Sequence, residues 1–199
     1  LFTTRFFTQI TMGAATFAFS WLFIWLNLRY AAKSKPLPLA KLQEQISEVP
    51  LQEGQLRSVL SMAGVLAALF PAWLLASVSS RQWLYALAFM DRLPFGATDS
   101  VFGNDIGFYV FELPLYGFAQ SVLVSLVVLT LLMVAALSVL RDIFLEQGKV
   151  QLHPSAVGQL LFLCGIFFAL LGLGWFLDRY EVLFSKEGVV WGAGYADIN

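Results

Sequence analysis

Charge is what this sequence has least of. Only 13% of its 199 residues are Asp, Glu, Lys or Arg, while 59% are hydrophobic. A soluble domain runs to about a quarter charged and about half apolar, and the mean hydropathy here is +0.75. A soluble chain of this length has too little interior to hide so much apolar surface, which excludes a soluble core-rich domain. The net charge of −1 leaves no basic excess to hold a phosphate backbone, so no nucleic-acid partner is expected. Cysteine and histidine occur once each, as Cys164 and His153. One cysteine closes no intrachain disulfide. One imidazole with no neighbouring Cys, Asp or Glu is a poor metal site. The sequence has no phosphate loop, nucleophile–base pair or metalloprotease motif. The fragment GAGY, Gly192–Tyr195, has no strand–helix context for a nucleotide.

Long apolar runs are what the chain has instead. Four are free of charge: Phe6–Leu28, Ser58–Ser80, Leu113–Leu140 and Val150–Leu177. A hydrocarbon core needs about 20 helical residues, and a helix satisfies its own backbone in lipid. The fold class expected is an all-α integral membrane protein forming a single domain over 1–199. Its four spans are expected at about 6–28, 58–80, 115–140 and 152–177. The longer runs must tilt or extend into the headgroups. Pro71 predicts a kink in the second span. The first run is too long for a signal peptide and lacks its cleavage site.

Lys and Arg set the orientation. The loop 29–57 carries Arg29, Lys33, Lys35, Lys41 and Arg57, and Arg141 and Lys149 follow the third span on the same side. The opposite side holds Arg5, Arg81, Arg92, Arg179 and Lys186. The positive-inside rule then makes 29–57 cytoplasmic, and makes loop 81–114 and tail 178–199 extracytoplasmic. The expected location is a bacterial inner membrane, with both ends of this chain outside.

Short interfacial helices are expected in both loops. Leu39, Leu42, Ile46 and Val49 follow helical spacing up to Pro50, and Arg81–Asp91 carries an apolar side through Trp83, Leu84, Leu87 and Met90. These predict amphipathic helices lying at the membrane surface or on the protein's own base. In the second span Gly64, Ala68, Ala72, Ala76 and Ser80 recur every four residues, and Gly165, Ala169, Gly172 and Gly174 repeat the idea in the fourth. Such stripes predict close helix packing, internal or with another subunit. No span carries an ionisable residue in its centre, which argues against an ion-coupled carrier. His153 lies at the inner start of the fourth span; a structural boundary histidine is the plainer reading, a pigment or metal ligand the sharper one. Topology gathers Asp105, Glu112, Asp178, Arg179 and Glu181 on the outer face. Arg179 is expected to pair with one of these acids, Asp105 or Glu112 above all, tying the loop to the fourth helix. The rival reading is a divalent-cation site made of the carboxylates.

Three stretches together resemble a known family. They are FGNDIGFYVFELPLYGF (Phe102–Phe118), WFLDRYEVLFS (Trp175–Ser185) and GVVWGAGYADIN (Gly188–Asn199), and TRFF…WLNLRYA near the start agrees with them. In this order they are similar to the bacterial uncharacterised protein family 0182, which comprises large integral membrane proteins. The resemblance covers nearly the whole chain. It implies further spans and a large extracytoplasmic C-terminal domain, with the present chain matching the N-terminal membrane portion. It also implies an outside start, in agreement with the charge count. It carries over no catalytic residue.

The function expected is therefore a non-enzymatic integral membrane protein, a structural or accessory subunit of a larger assembly. Its partners are the lipid bilayer and other membrane subunits. No cofactor is expected, although in a photosynthetic complex His153 would be the ligand for a chlorophyll, and lipid is the other candidate. The alternatives are a transporter or channel component, for which Pro71 and the glycines of the fourth helix allow broken-helix geometry, or the anchor of an envelope enzyme whose catalytic domain lies elsewhere.

Overall fold

A computed structural model of the protein describes residues 2–34, 53–145 and 154–184. The described residues are helical apart from one loop. Helix α1 spans Phe2–Ser34 and α2 spans Glu53–Arg81. The short α3 covers Trp83–Met90. A wide π turn, Phe108–Glu112, feeds α4, Leu113–Leu145. Helix α5 runs over Pro154–Glu181 and ends in a 3₁₀ turn, Val182–Phe184.

Four segments are long and apolar enough to cross a membrane: Thr3–Lys33, Met62–Arg81, Phe108–Leu140 and Pro154–Glu181. The protein is an all-α membrane protein. The helices run past the charge-free runs, most visibly through Arg5, Arg29 and Lys33. A charge ends an apolar run but not a helix, because the backbone stays hydrogen-bonded as the side chains enter the aqueous zone. Helix α2 continues through Pro71, which is buried, although its ring supplies no N–H to the preceding turn. Helix α3 matches the interfacial helix expected after the second span and has no fully buried residue. The amphipathic stretch 39–49 lies outside the described residues, as do His153 and the tail from Ser185.

Helix α1 lies antiparallel along α2, and α4 and α5 form a second pair. The second-span stripe explains the first contact. Ala68 and Ala72 are fully buried and Ala76 is 8% exposed. Gly13 of α1 faces the end of that stripe, where an added Cβ would stand 3.4 Å from the Ser80 Cβ. Small residues on both helices thus let the backbones approach. Gly64 is only half-buried, and a Cβ there would meet nothing within 4 Å. The core joins all four spans through Ile24 and Leu28 of α1, Ala68 and Leu75 of α2, Leu126 and Val134 of α4, and Leu163 of α5.

The second stripe behaves differently. Gly165, Ala169 and Gly172 of α5 are exposed, and a Cβ on either glycine would meet open space. Of the two packing partners expected for Gly165 and Ala169, internal or another subunit, the described helices supply none. Small-residue spacing marks a face but does not say what covers it, and α5 turns this face away from the other described helices. Gly174 alone admits a neighbour, Gln120, whose Nε2 lies 2.7 Å from where a Cβ would be. Gln120 Nε2 donates to the Leu170 carbonyl at 3.0 Å, joining α4 to α5.

At the opposite end of the bundle, Gln159 of α5 reaches α1. Its Nε2 donates to the Asn27 carbonyl at 2.9 Å and to Asn27 Oδ1 at 3.2 Å. The Gln159 Oε1 is buried without a hydrogen-bond partner, as are Ser20 Oγ, Trp21 Nε1 and Ser79 Oγ.

Candidate functional site at the loop end of the bundle

The end of α2, the start of α4 and the end of α5 meet at one end of the bundle, called here the loop end. Its organiser is the segment between α3 and the π turn. Two carboxylates fold it. Asp99 sits where an Asx turn is expected and accepts hydrogen bonds from the backbone N–H of Val101 at 2.8 Å and of Phe102. Its second oxygen accepts from the Asn104 N–H at 2.9 Å and the Tyr109 hydroxyl at 2.7 Å. Partial desolvation pushes the Asp99 carboxyl upward, but these four hydrogen bonds together outweigh it and hold the pKa at about 2.

Asp105 closes the other half of the loop. It accepts from the backbone N–H groups of Phe95 at 3.0 Å, Gly96 at 2.9 Å and Gly107 at 2.7 Å. The Phe95 and Gly107 donors lead in holding it below the ordinary carboxylate value. Between the two acids the backbone pairs Asp99 N–H with the Asn104 carbonyl at 2.9 Å, and Ile106 N–H with that of Ala97 at 3.0 Å. Gly96 and Gly103 both have φ of 70°, a region that L side chains rarely adopt. Gly107 is needed for space, since a Cβ there would lie 2.8 Å from the Leu93 carbonyl oxygen.

The expected pairing of Arg179 with Asp105 or Glu112 is corrected by this geometry. Asp105 is taken by its own loop's amides. Glu112 pairs with Arg92 at 3.5 Å and accepts from the Tyr116 hydroxyl at 3.1 Å. Arg179 lies against rings instead. Its guanidinium carbon stands 3.8 Å from the Phe176 ring centre, 4.5 Å from that of Tyr180 and 5.7 Å from that of Phe102, and it donates to the Tyr180 hydroxyl. The loop is still tied to α5, by cation–π contact through Phe102 rather than by an ion pair.

Tyr180, not singled out from the sequence, is the centre of this clasp. Its ring meets Phe102 at 5.0 Å and Phe108 at 5.1 Å. It also reaches Tyr109 and Phe176, each at 6.1 Å. The aromatic density of Phe102–Phe118 and Trp175–Ser185 was the available signal. Among the described residues no three of His, Cys, Asp or Glu come together to hold a metal, and of the carboxylates read as a cation site Asp105 and Glu112 are engaged by other groups.

Beside the clasp lies an open cavity of about 700 Å³. Gln82 and Tyr85 from the α2–α3 junction form one side and Tyr109 of the π turn another. Leu113, Pro114, Gly117 and Phe118 of α4 line its length, and Glu181 of α5 closes it. The π turn has a local cause. Leu113 N–H reaches back to the Phe108 carbonyl, and Pro114 next to it offers no N–H, so the widened turn relieves the ring against the preceding carbonyls.

Comparison with known proteins places this geometry in context. The model for the uncharacterised protein family UPF0182 matches residues 1–199. The chain is similar to a UPF0182 protein of Cupriavidus necator, 33% identical over all of this chain and 22% of that protein. A UPF0182 protein of Synechococcus sp. strain JA-3-3Ab is 40% identical over 60% of the chain and 14% of its own length. One from Geobacter sulfurreducens is 29% identical over the whole chain and 23% of that protein. The chain spans less than a quarter of the length of these relatives. No solved structure matches.

Proposed function

This chain belongs to the uncharacterised protein family UPF0182, and from that premise we propose that it is a non-enzymatic membrane module that holds a larger assembly together. In this reading it sits in a bacterial inner membrane with the loop end outside, as the positive-inside count favours. The observation that carries the proposal is the uncovered face of α5. Leu161, Gly165, Phe168, Gly172 and Trp175 recur at helical spacing and are all exposed. Only 6% of the apolar window of α5 is buried, against 33% for α2. Bulky side chains with small ones between them provide ridges and grooves for another membrane helix.

The test is mild purification followed by identification of what accompanies the protein. A stoichiometric membrane partner is expected, lost in Ala169→Leu with helix content unchanged. A lone protein giving substrate-dependent flux in liposomes would overturn the proposal. The second reading, a transporter component, is favoured by the unpartnered buried polar atoms of Ser20, Trp21, Ser79 and Gln159. Polar groups without partners are costly in a hydrocarbon interior, and internal water would satisfy them.

A further inference from the structure

The cavity at the loop end has a chemical character of its own. Among the described residues its one charged lining group is the Glu181 carboxylate, and none of them places a Lys or Arg in its lining. Three aromatic residues stand around it, Tyr85, Tyr109 and Phe118. The Tyr85 and Phe118 rings contact each other with centres 6.2 Å apart at 52°. The Gln82 amide adds a neutral acceptor, and Gly117 leaves part of the α4 wall without a side chain. A carboxylate beside several π faces attracts an organic cation. A bare divalent metal wants six or more oxygens, far more than one carboxylate brings. Among the described lining residues an anion would meet Glu181 with no compensating cation.

We propose that this cavity binds an organic ammonium group, with Glu181 as its counter-ion and the rings of Tyr85, Tyr109 and Phe118 around its alkyl carbons. The assignment is independent of the accessory role. The cavity is bounded by the first turns of α4 and the last residue of α5. It therefore lies at the ends of two spans, the depth at which lipid headgroups sit. Two sources present this chemistry there, the amine of phosphatidylethanolamine and a soluble amine.

Native mass spectrometry of the full-length protein, delipidated and titrated with phosphatidylethanolamine or phosphatidylglycerol, separates the sources when paired with ethanolamine calorimetry in phosphatidylglycerol micelles. Retention of phosphatidylethanolamine over phosphatidylglycerol identifies the headgroup; ethanolamine binding identifies the soluble amine. Either signal should fall about tenfold in Glu181→Gln and survive in Glu181→Asp, because a charge-assisted contact is lost only in the first. Gly117→Leu should abolish it by filling the cavity, since a Cβ at Gly117 meets nothing within 4 Å. Circular dichroism checks that each variant folds, and if Gly117→Leu does not, the two Glu181 variants decide. The absence of both signals, or a signal unchanged in Glu181→Gln, overturns the proposal.

Discussion

Replacing Gly107 by Ala tests whether the loop is held as tightly as its hydrogen bonds imply. The added Cβ would sit 2.8 Å from the Leu93 carbonyl oxygen and 2.9 Å from Asp105 Oδ1, both inside the 3.0 Å that real Cβ atoms essentially never breach. One of these obstacles is backbone. The other is the oxygen that accepts from the Phe95 and Gly107 N–H groups. Relief must therefore move the loop or lengthen its hydrogen bonds. Overpacking of this kind costs about 1–3 kcal/mol. Gly107 has helical dihedrals, φ −57° and ψ −32°, so Ala regains about 0.5–1 kcal/mol of backbone entropy. The net loss is about 1–2 kcal/mol, or about tenfold more loop opening. Hydrogen exchange read by mass spectrometry in detergent should show Phe95, Gly96 and Gly107 exchanging faster, with α1 and α4 unchanged. Gly117→Ala, where space is open, is the control and should leave the loop alone. Gly107→Ala exchanging as slowly as wild type would refute the reasoning.

Two further outcomes follow from the same structure. Asp99 has a folded pKa of about 2 against an ordinary 3.8. Its contribution to loop stability is thus complete above the ordinary value and is lost as pH falls through the folded one. Pepsin cleavage within 92–107 should stay slow down to about pH 4 and rise only towards about pH 2, whereas Asp99→Asn should be cleaved readily throughout. In the spans, Ala72→Leu forces a large side chain into a fully buried position and should cost about 2 kcal/mol or more of thermal stability in detergent. Ala169→Leu, on the exposed face of α5, should stay within about 0.5 kcal/mol.

The spans were legible in the sequence because lipid imposes one requirement, a continuous apolar helix, and composition reports it directly. The interfacial helix α3 was legible for the same reason, from the apolar side beginning at Trp83. The stripe in α2 is buried at Ala68, Ala72 and Ala76 but open at Gly64, and the equivalent spacing in α5 points outward, because periodicity defines a face without naming its neighbour. The site was harder. Arg179 was matched to carboxylates by sign, but backbone amides a few residues away claim Asp105, and Arg92 claims Glu112. Short-range donors win over a cation more than sixty residues away because they need no long loop to be closed. The Gln159–Asn27 bridge was illegible, since a neutral amide near a span end gives no hint of its partner 132 residues away.

The staples of the loop have a temporal consequence. Every hydrogen bond that Asp99 and Asp105 accept comes from within ten residues, and a loop that short closes in about 10–100 ns. Ribosomes add only about 5–20 residues per second, so this hairpin is finished before the helix that follows it has been made. The Tyr180 clasp must wait for the end of α5. The loop therefore meets α5 as a preformed receptor, and this end of the bundle can lock only once α5 has been made.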